Sequence, residues 1–356
     1  MKYQIRTILA AVALFVVTFQ WSCGNDGLNQ EGGSASELEQ NVNATNSCKE
    51  PLDGKVDFAI DELPHEEALE WWYWTGHLKT EDQRWFGFEM VVFLISTGSM
   101  GNILMSHHAL TDIQNQKFEY DVKFAPYLQK AEQKGFDFTV GAFSMKGADG
   151  HDVIHGELPS STLDLELLNT KRPVLQHGNG YHDYPFGGYT YYYTRPRMEA
   201  IGTIKIDGES HRVVGTAWFD HQWGSLGNAT DSGWDWFALQ LDDGTDIMAT
   251  RVHKENQPLM FAGSINDSEC NTKDLDESNI TIIPKGTWES PTSGCVYPMG
   301  WDLEINGKTY TITPVMDDQE LVSREKTYWE GAAIVGGAAT GRAYIELVGY
   351  CPTSVY

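Results

Sequence analysis

Basic residues are scarce in this chain. Lys and Arg total 25 against 50 Asp and Glu, a formal net charge of −25. A field of that sign repels phosphate backbones and anionic headgroups, which excludes nucleic acid as a partner. Cysteine is sparse too: five in all, none in a CxxC pair, so zinc held by thiolates is not expected. No HExxH, GxSxG, P-loop or dinucleotide-binding fingerprint occurs, and Ser96, Ser99 and Ser106 lack a nucleophile-elbow context. The adjacent His107 and His108 would splay to opposite faces of a strand rather than share a metal. No cofactor and no metal are therefore expected. Helical apolar periodicity of useful length is missing as well.

What is present begins with a leader. Lys2 and Arg6 precede the apolar run Ile8–Phe19, which is too short to cross a bilayer as a helix, and Ser22-Cys23 follows. The expectation is a signal peptide over residues 1–22 and acylation of Cys23. That makes an exported lipoprotein of the cell envelope, in the periplasm or on the outer membrane, with the lipid anchor as its membrane contact. Gln20 stands where such sites prefer an aliphatic residue, so plain secretion is the alternative. Residues 23–55, polar and rich in Gly, Ser and Asn, read as a flexible tether. The even remainder of cysteines, Cys48, Cys270, Cys295 and Cys351, suggests two disulfides in an oxidising compartment. Of the three pairings, Cys270–Cys295 with Cys48–Cys351 is favoured.

From about residue 56 the pattern is strand-like, with aromatic and β-branched runs in period-two alternation. Examples are Trp85–Leu94, Gly135–Val140, Gly188–Tyr193, Ile201–Ile206, Val213–Phe219, Trp236–Leu241, Ile247–Val252 and Arg342–Val348. Asp207-Gly208, Asp243-Gly244 and Asn306-Gly307 signal hairpins. The chain predicts an all-β protein of two antiparallel units, residues 56–228 and 229–356. Each closes, or nearly closes, to protect its strand edges. The boundary falls in the Gly/Ser-rich Gly224–Ser232, and residues 264–280 read as a polar loop. The 12 Trp and 16 Tyr bring flat apolar faces with hydrogen-bonding edges, which suits a pocket for a large organic molecule.

Four aromatic-plus-polar segments stand out. They are Glu70–Leu78 (EWWYWTGHL), Thr216–Gly224 (TAWFDHQWG), Gly233–Gly244 (GWDWFALQLDDG), and Tyr328–Gly331 (YWEG) with Gly341–Tyr350 (GRAYIELVGY). In this order, with Tyr191–Tyr193 ahead of the second, the chain resembles the carotenoid 1,2-hydratase/AttH-like family over residues 58–350. The resemblance implies two lipocalin-like antiparallel β-barrels. It also implies activities of the kind found there: hydration of isolated double bonds in carotenoids or of a prenylated phytoalexin, and pericyclic folding of polyenes.

The residues themselves point to the same chemistry. Hydrating an unactivated alkene needs an acid able to protonate carbon, shelter for the cation and a base for water. A carboxyl among apolar side chains stays protonated near neutrality through desolvation, and Trp and Tyr faces stabilise a cation. In a strand Asp235 shares a face with Phe237, Leu239 and Leu241, with Trp234, Trp236 and Gln240 opposite; Asp235 is the expected acid. His221 is the expected water-activating base or second acid, titrating near neutral pH, with Asp220 orienting its neighbours. The alternative has His221 and Asp220 satisfying each other structurally between two barrels. Trp72, Tyr73, Tyr192, Trp223, Trp234, Trp236 and Gln240 are expected on the pocket wall. Glu70 and Glu330, each beside a Trp, are expected at the domain junction or on that wall, bound to Arg or backbone donors. The expected function is a cofactor-independent hydratase or isomerase for a hydrophobic polyene-like or prenylated small molecule. A non-catalytic lipocalin-like carrier of a lipophilic ligand is the alternative.

Overall fold

The computed structural model describes residue 48 and residues 52–128, 133–226, 232–255, 257–324 and 326–351. The leader, Cys23 and most of the tether lie outside the described residues. Twelve strands form a first antiparallel sheet: β1 (Leu69–Thr80), β2 (Trp85–Ser96), β3 (Asn102–Asp112), β4 (Lys117–Pro126), β5 (Phe136–Val140), β6 (Phe143–Ala148), β7 (His151–Glu157), β8 (Ser161–Asn169), β9 (Val174–Leu175), β10 (Tyr181–Asp183), β11 (Tyr189–Ile206) and β12 (Glu209–Ser225). A ten-stranded second sheet takes β13 (Gly233–Leu241), β14 (Asp246–Lys254), β15 (Gln257–Asn266), β16 (Thr272–Leu275), β17 (Ile280–Pro284), β20 (Trp301–Ile305), β21 (Lys308–Pro314), β22 (Glu320–Val322), β23 (Thr327–Gly337) and β24 (Gly341–Val348), while β18 (Trp288–Glu289) and β19 (Val296–Tyr297) pair alone. Among the described residues there is no α-helix. The protein is all-β, two nearly closed barrel-like sheets, and none of its described helices is long and apolar enough to cross a membrane.

The order β4-β3-β2-β1-β12-β11-β8-β7-β6-β5 wraps the first sheet around one core, and β16-β15-β14-β13-β24-β23-β21-β20-β17 wraps the second around another. Two-residue turns make the tightest connections. Asp207 (φ 51) and Gly208 (φ 89) join Ile206 to Glu209, and Asn306 (φ 50) and Gly307 (φ 77) join Ile305 to Lys308, as the mirror-image hairpin turns require. The runs Gly188–Tyr193 and Ile201–Ile206 prove to be one strand, β11, whose pairing slips between Arg195 and Met198. Pro196 sits there, and its missing N–H interrupts the ladder. The expected polar loop of residues 264–280 contains β16, paired with β15.

Alternation sends Trp72, Trp74, Phe88, Met90, Phe136, Phe219 and Trp223 into the first barrel, and Phe237, Leu239, Trp301, Trp329 and Ile345 into the second. Enclosing such side chains contributes about 1.5–3 kcal/mol each, which is what fixes strand register. The disulfides are Cys48–Cys270 and Cys295–Cys351, not the pairs favoured from sequence. Strands β16, β17 and β18 lie between Cys270 and Cys295, so nearness in sequence is not nearness in space. Two disulfides are the mark of an oxidising compartment.

Candidate active site

Alternation also splits every motif between two sides. One set of side chains enters a barrel and the other lies on its outer surface, and the outer surfaces of the two barrels face each other. Tyr73, Val91, Tyr192 and Trp218 from the first barrel pack with Trp236, Ala238 and Met248 from the second, fringed by the partly exposed Trp71, Phe93 and Trp234. A second patch joins Ala109 to Leu321, Tyr328 and Val348. At Gly87 the barrels approach closely: a Cβ there would lie 2.6 Å from that of Ala332, so only glycine fits.

Register places the polar groups of this seam in rows. Across the first sheet Asp220 stands beside Tyr73, Tyr73 beside Val91, and Val91 beside His107. In the next row Trp218, Thr75, Glu89 and Ala109 follow one another. In the second sheet Trp236 pairs with Glu346, and Glu346 with Glu330. Hydrogen bonds cross the seam from Tyr73 Oη to Glu330 Oε1 (2.6 Å) and between His107 Nδ1 and Tyr328 Oη (2.7 Å).

Three carboxyls thus lie near one another in the buried seam. Glu89 and Glu330 are fully buried, while Glu346 keeps part of its surface. No described protein group bonds either oxygen of Glu89 or Oε2 of Glu330. Glu330 and Glu346 are direct cross-strand neighbours, a position in which like charges repel. Burial pushes the Glu89 carboxyl well up, and the charge of Glu346 adds to it. Burial does the same to Glu330, with Glu346 and Glu89 adding and the Tyr73 hydrogen bond opposing. Glu346 is raised by burial too, against the pull of Trp234 and Lys326. Burial acts oppositely on the seam's bases, taking His77 down to about 3 and His107 to about 4. Burial in the seam therefore favours the neutral form of its acids and of its histidines alike.

Asp220 belongs to this face. Tyr192 Oη (2.6 Å), Thr194 Oγ1 (2.6 Å) and Trp218 Nε1 (2.9 Å) donate to it. Burial still raises its carboxyl to about 7. The other two residues expected to act with it are elsewhere. Asp220 and His221 are consecutive in an unbulged stretch of β12, so His221 points into the first barrel. There burial holds the ring neutral, at about 4, rather than titrating near neutrality, and Nε2 lies 2.7 Å from Glu70 Oε1. Asp235 points into the second barrel, where Arg251 approaches Oδ2 at 2.8 Å and Tyr350 Oη donates to Oδ1 at 2.6 Å. An ion pair with Arg251 stands where an unpartnered acid among apolar side chains was expected. The three residues occupy three compartments and cannot act on one bond.

The expected pocket wall divides the same way. Tyr73, Tyr192, Trp234, Trp236, Gln240 and Glu330 face the seam, with Tyr73 and Trp236 edge-to-face at 5.3 Å. Gln240 is a clamp, its amide donating to the Pro196 and Ala217 carbonyls while it accepts from Thr216. Glu330 is at the junction but bound by Tyr73, and among the described residues no arginine forms an ion pair with it. Trp72, Trp223 and Glu70 lie inside the first barrel, Trp72 stacked on His221 (4.5 Å) and Trp223 on His65 (4.2 Å). Burial would lower His65, but hydrogen bonds to Asp61 and Glu70 lift it to about 9. Sequence reasoning gave no site role to Glu89, Glu346, Tyr328 and His65, although Glu346 and Tyr328 lie in segments it singled out. The first two were visible as acids inside apolar runs, FGFEMVV and AYIELV.

A family model described as AttH-like matches residues 50–350. Kievitone hydratase of Fusarium solani subsp. phaseoli is 24% identical over 191 residues, 49% of this chain and 52% of that protein; the chain spans about half the length of that relative. A crystal structure of an AttH from Nitrosomonas europaea superposes with a TM-score of 0.76 at 30% identity, covering 83% of this chain and 97% of that one. The crystal structure of kievitone hydratase from Nectria haematococca gives 0.67 at 19% identity over 85% and 96%, a likeness of fold. With both barrels matched from end to end, this chain belongs to the AttH-like family.

Proposed function

We propose that the protein is a cofactor-independent acid/base enzyme of hydratase or isomerase type, acting on a hydrophobic polyene-like or prenylated molecule held between the two barrels. The observation that carries this is the carboxyl trio: Glu330 faces Glu346 across two strands, with Glu89 opposite, in an aromatic enclosure. In the proposed reaction Glu330 is the acid. Tyr73 donates to its Oε1, leaving Oε2 to carry the proton to an alkene carbon. The cation that forms is sheltered by the faces of Tyr73 and Trp236. Glu346, the least enclosed of the three and nearest in charge to Lys326, takes a proton from water as oxygen bonds to the cation. The proton then returns to Glu330 between cross-strand neighbours whose Cβ atoms are about 5 Å apart. Isomerisation needs only the first step and loss of a different proton. Trp71, Phe93 and Trp234, with Lys326 Nζ 4.7 Å above the Trp234 ring, rim the way in.

Similarity to a kievitone hydratase supports the reaction type. The carrier alternative fares less well, because a lipid-binding wall gains nothing from three buried acids that each raise the cost of folding. The two disulfides support an exported protein, and acylation of Cys23, expected from the sequence, would hold the enzyme at the cell envelope, where hydrophobic substrates partition. The test is incubation with a panel of acyclic polyenes and prenylated phenols in ¹⁸O-water, read by mass spectrometry. The wild type should add labelled water, or rearrange a substrate, and Glu330→Gln should do neither. Equal turnover by Glu330→Gln would remove the proposed acid.

A further inference from the structure

Inside the first barrel, apart from the seam, three side chains converge on one point. Glu70 Oε1 lies 2.7 Å from His65 Nδ1 and 2.7 Å from His221 Nε2. All three ligand atoms lie within 4.8 Å of one another. We propose that His65, Glu70 and His221 form a binding site for a divalent transition metal of the zinc class, completed by water.

Each ligand is already held from behind. His65 Nε2 is 3.2 Å from Asp61 Oδ1, His221 Nδ1 is 3.4 Å from Tyr193 Oη, and Glu70 Oε2 accepts the His65 backbone N–H at 2.8 Å. Partners of this kind on the far nitrogen fix imidazole orientation in metal sites and strengthen the ligand. Stacking of Trp223 on His65 and of Trp72 on His221 fixes the ring planes. Two imidazoles and a carboxylate are a zinc donor set with one position left for solvent; magnesium and calcium prefer oxygen donors throughout.

The geometry needs little adjustment. Metal–ligand bonds near 2.05 Å set tetrahedral ligand atoms about 3.3 Å apart, so each His–Glu separation must open by about 0.6 Å. His65 can supply its own share, since it lies before β1, outside any strand, with a fifth of its side chain exposed, and a small rotation of the Glu70 carboxylate must open the distance to the enclosed His221. The same exposure gives the ion a way in. Among the described residues, the other compact group of potential ligands, Cys295, Glu320 and Cys351, is closed to metals because its sulfurs are joined.

The full chain, stripped with chelator, is titrated with Zn²⁺ by calorimetry in excess Mg²⁺, which occupies the acidic surface. One ion should bind per chain. His65→Ala should weaken binding at least tenfold, and Asp61→Asn, which leaves all ligands in place, by about 10–100-fold. Co²⁺ should give the intense visible bands of a four-coordinate ion. No saturable uptake at one per chain, uptake indifferent to His65→Ala and Asp61→Asn, or a weak six-coordinate cobalt spectrum would each overturn the proposal.

Discussion

Replacing Glu89 with glutamine should change stability with a sign that depends on pH. The carboxyl is fully buried, with neither oxygen bonded by a described protein group, and burial raises it well above its ordinary 4.5. An acid raised on folding contributes fully below its unfolded value, and that stability is lost as pH rises toward the folded value. Keeping it protonated costs at most 1.36 kcal/mol per pH unit above 4.5, which is about 0.7 kcal/mol at pH 5 and about 4.8 kcal/mol at pH 8. Glutamine escapes this cost but buries an amide whose unmet hydrogen bonds cost about 1–3 kcal/mol at either pH. The variant should therefore be equal to or less stable than the wild type at pH 5, and more stable at pH 8. The swing between the two is up to about 4 kcal/mol, or about 8 °C in Tm at roughly 2 °C per kcal/mol for a protein of this size. Urea and thermal melts at the two pH values read it directly. A variant destabilised equally at both, or more at pH 8, would mean that Glu89 is ionised and partnered, and the reasoning fails.

Tyr73→Phe removes the hydroxyl whose hydrogen bond holds Glu330 down, so the alkaline limb of kcat/KM should move to higher pH; an unshifted limb would dissociate Glu330 from the rate. Asp235→Asn leaves the nearly enclosed Arg251 without its carboxylate, and urea melts should show a loss of about 3–5 kcal/mol. Full stability with activity abolished would return Asp235 to the catalytic role expected of it from sequence. Non-reducing peptide maps should recover Cys48–Cys270 and Cys295–Cys351. Replacing both Cys295 and Cys351 by alanine, which opens a cross-link of sequence separation 56, should cost about 4 kcal/mol.

The fold was legible because side-chain alternation has only two phases. Once Trp72 and Trp74 are placed inside a barrel, Tyr73 and Thr75 must lie outside, and the same logic put Asp235 with Phe237 and opposite Trp236. The mirror-turn pairs Asp207-Gly208 and Asn306-Gly307 fixed two registers outright. What alternation cannot tell is which outer face another barrel covers. Glu89 and Glu346 therefore received no site role, and Asp235, on an apolar face, drew attention instead. Its Arg251 partner comes from the neighbouring strand, and no local pattern announces it. The separation of Asp220 from His221 was written in the chain, since adjacent strand residues diverge, although motif adjacency invites joining them. His65 escaped because it precedes β1 and meets Glu70 and His221 only after the barrel closes. Disulfide pairing is likewise a property of the closed sheets.

The central claim is that a carboxyl of the seam is an acid, not a carboxylate, at neutral pH. Infrared spectroscopy of the full chain in H₂O and D₂O reports it directly through the isotope-sensitive carbonyl stretch of a protonated carboxyl. The band should persist at pH 7 to 8 in the wild type and lose intensity in Glu330→Gln and in Glu89→Gln. A wild-type spectrum without that band at pH 7, or one that neither substitution alters, would contradict the account.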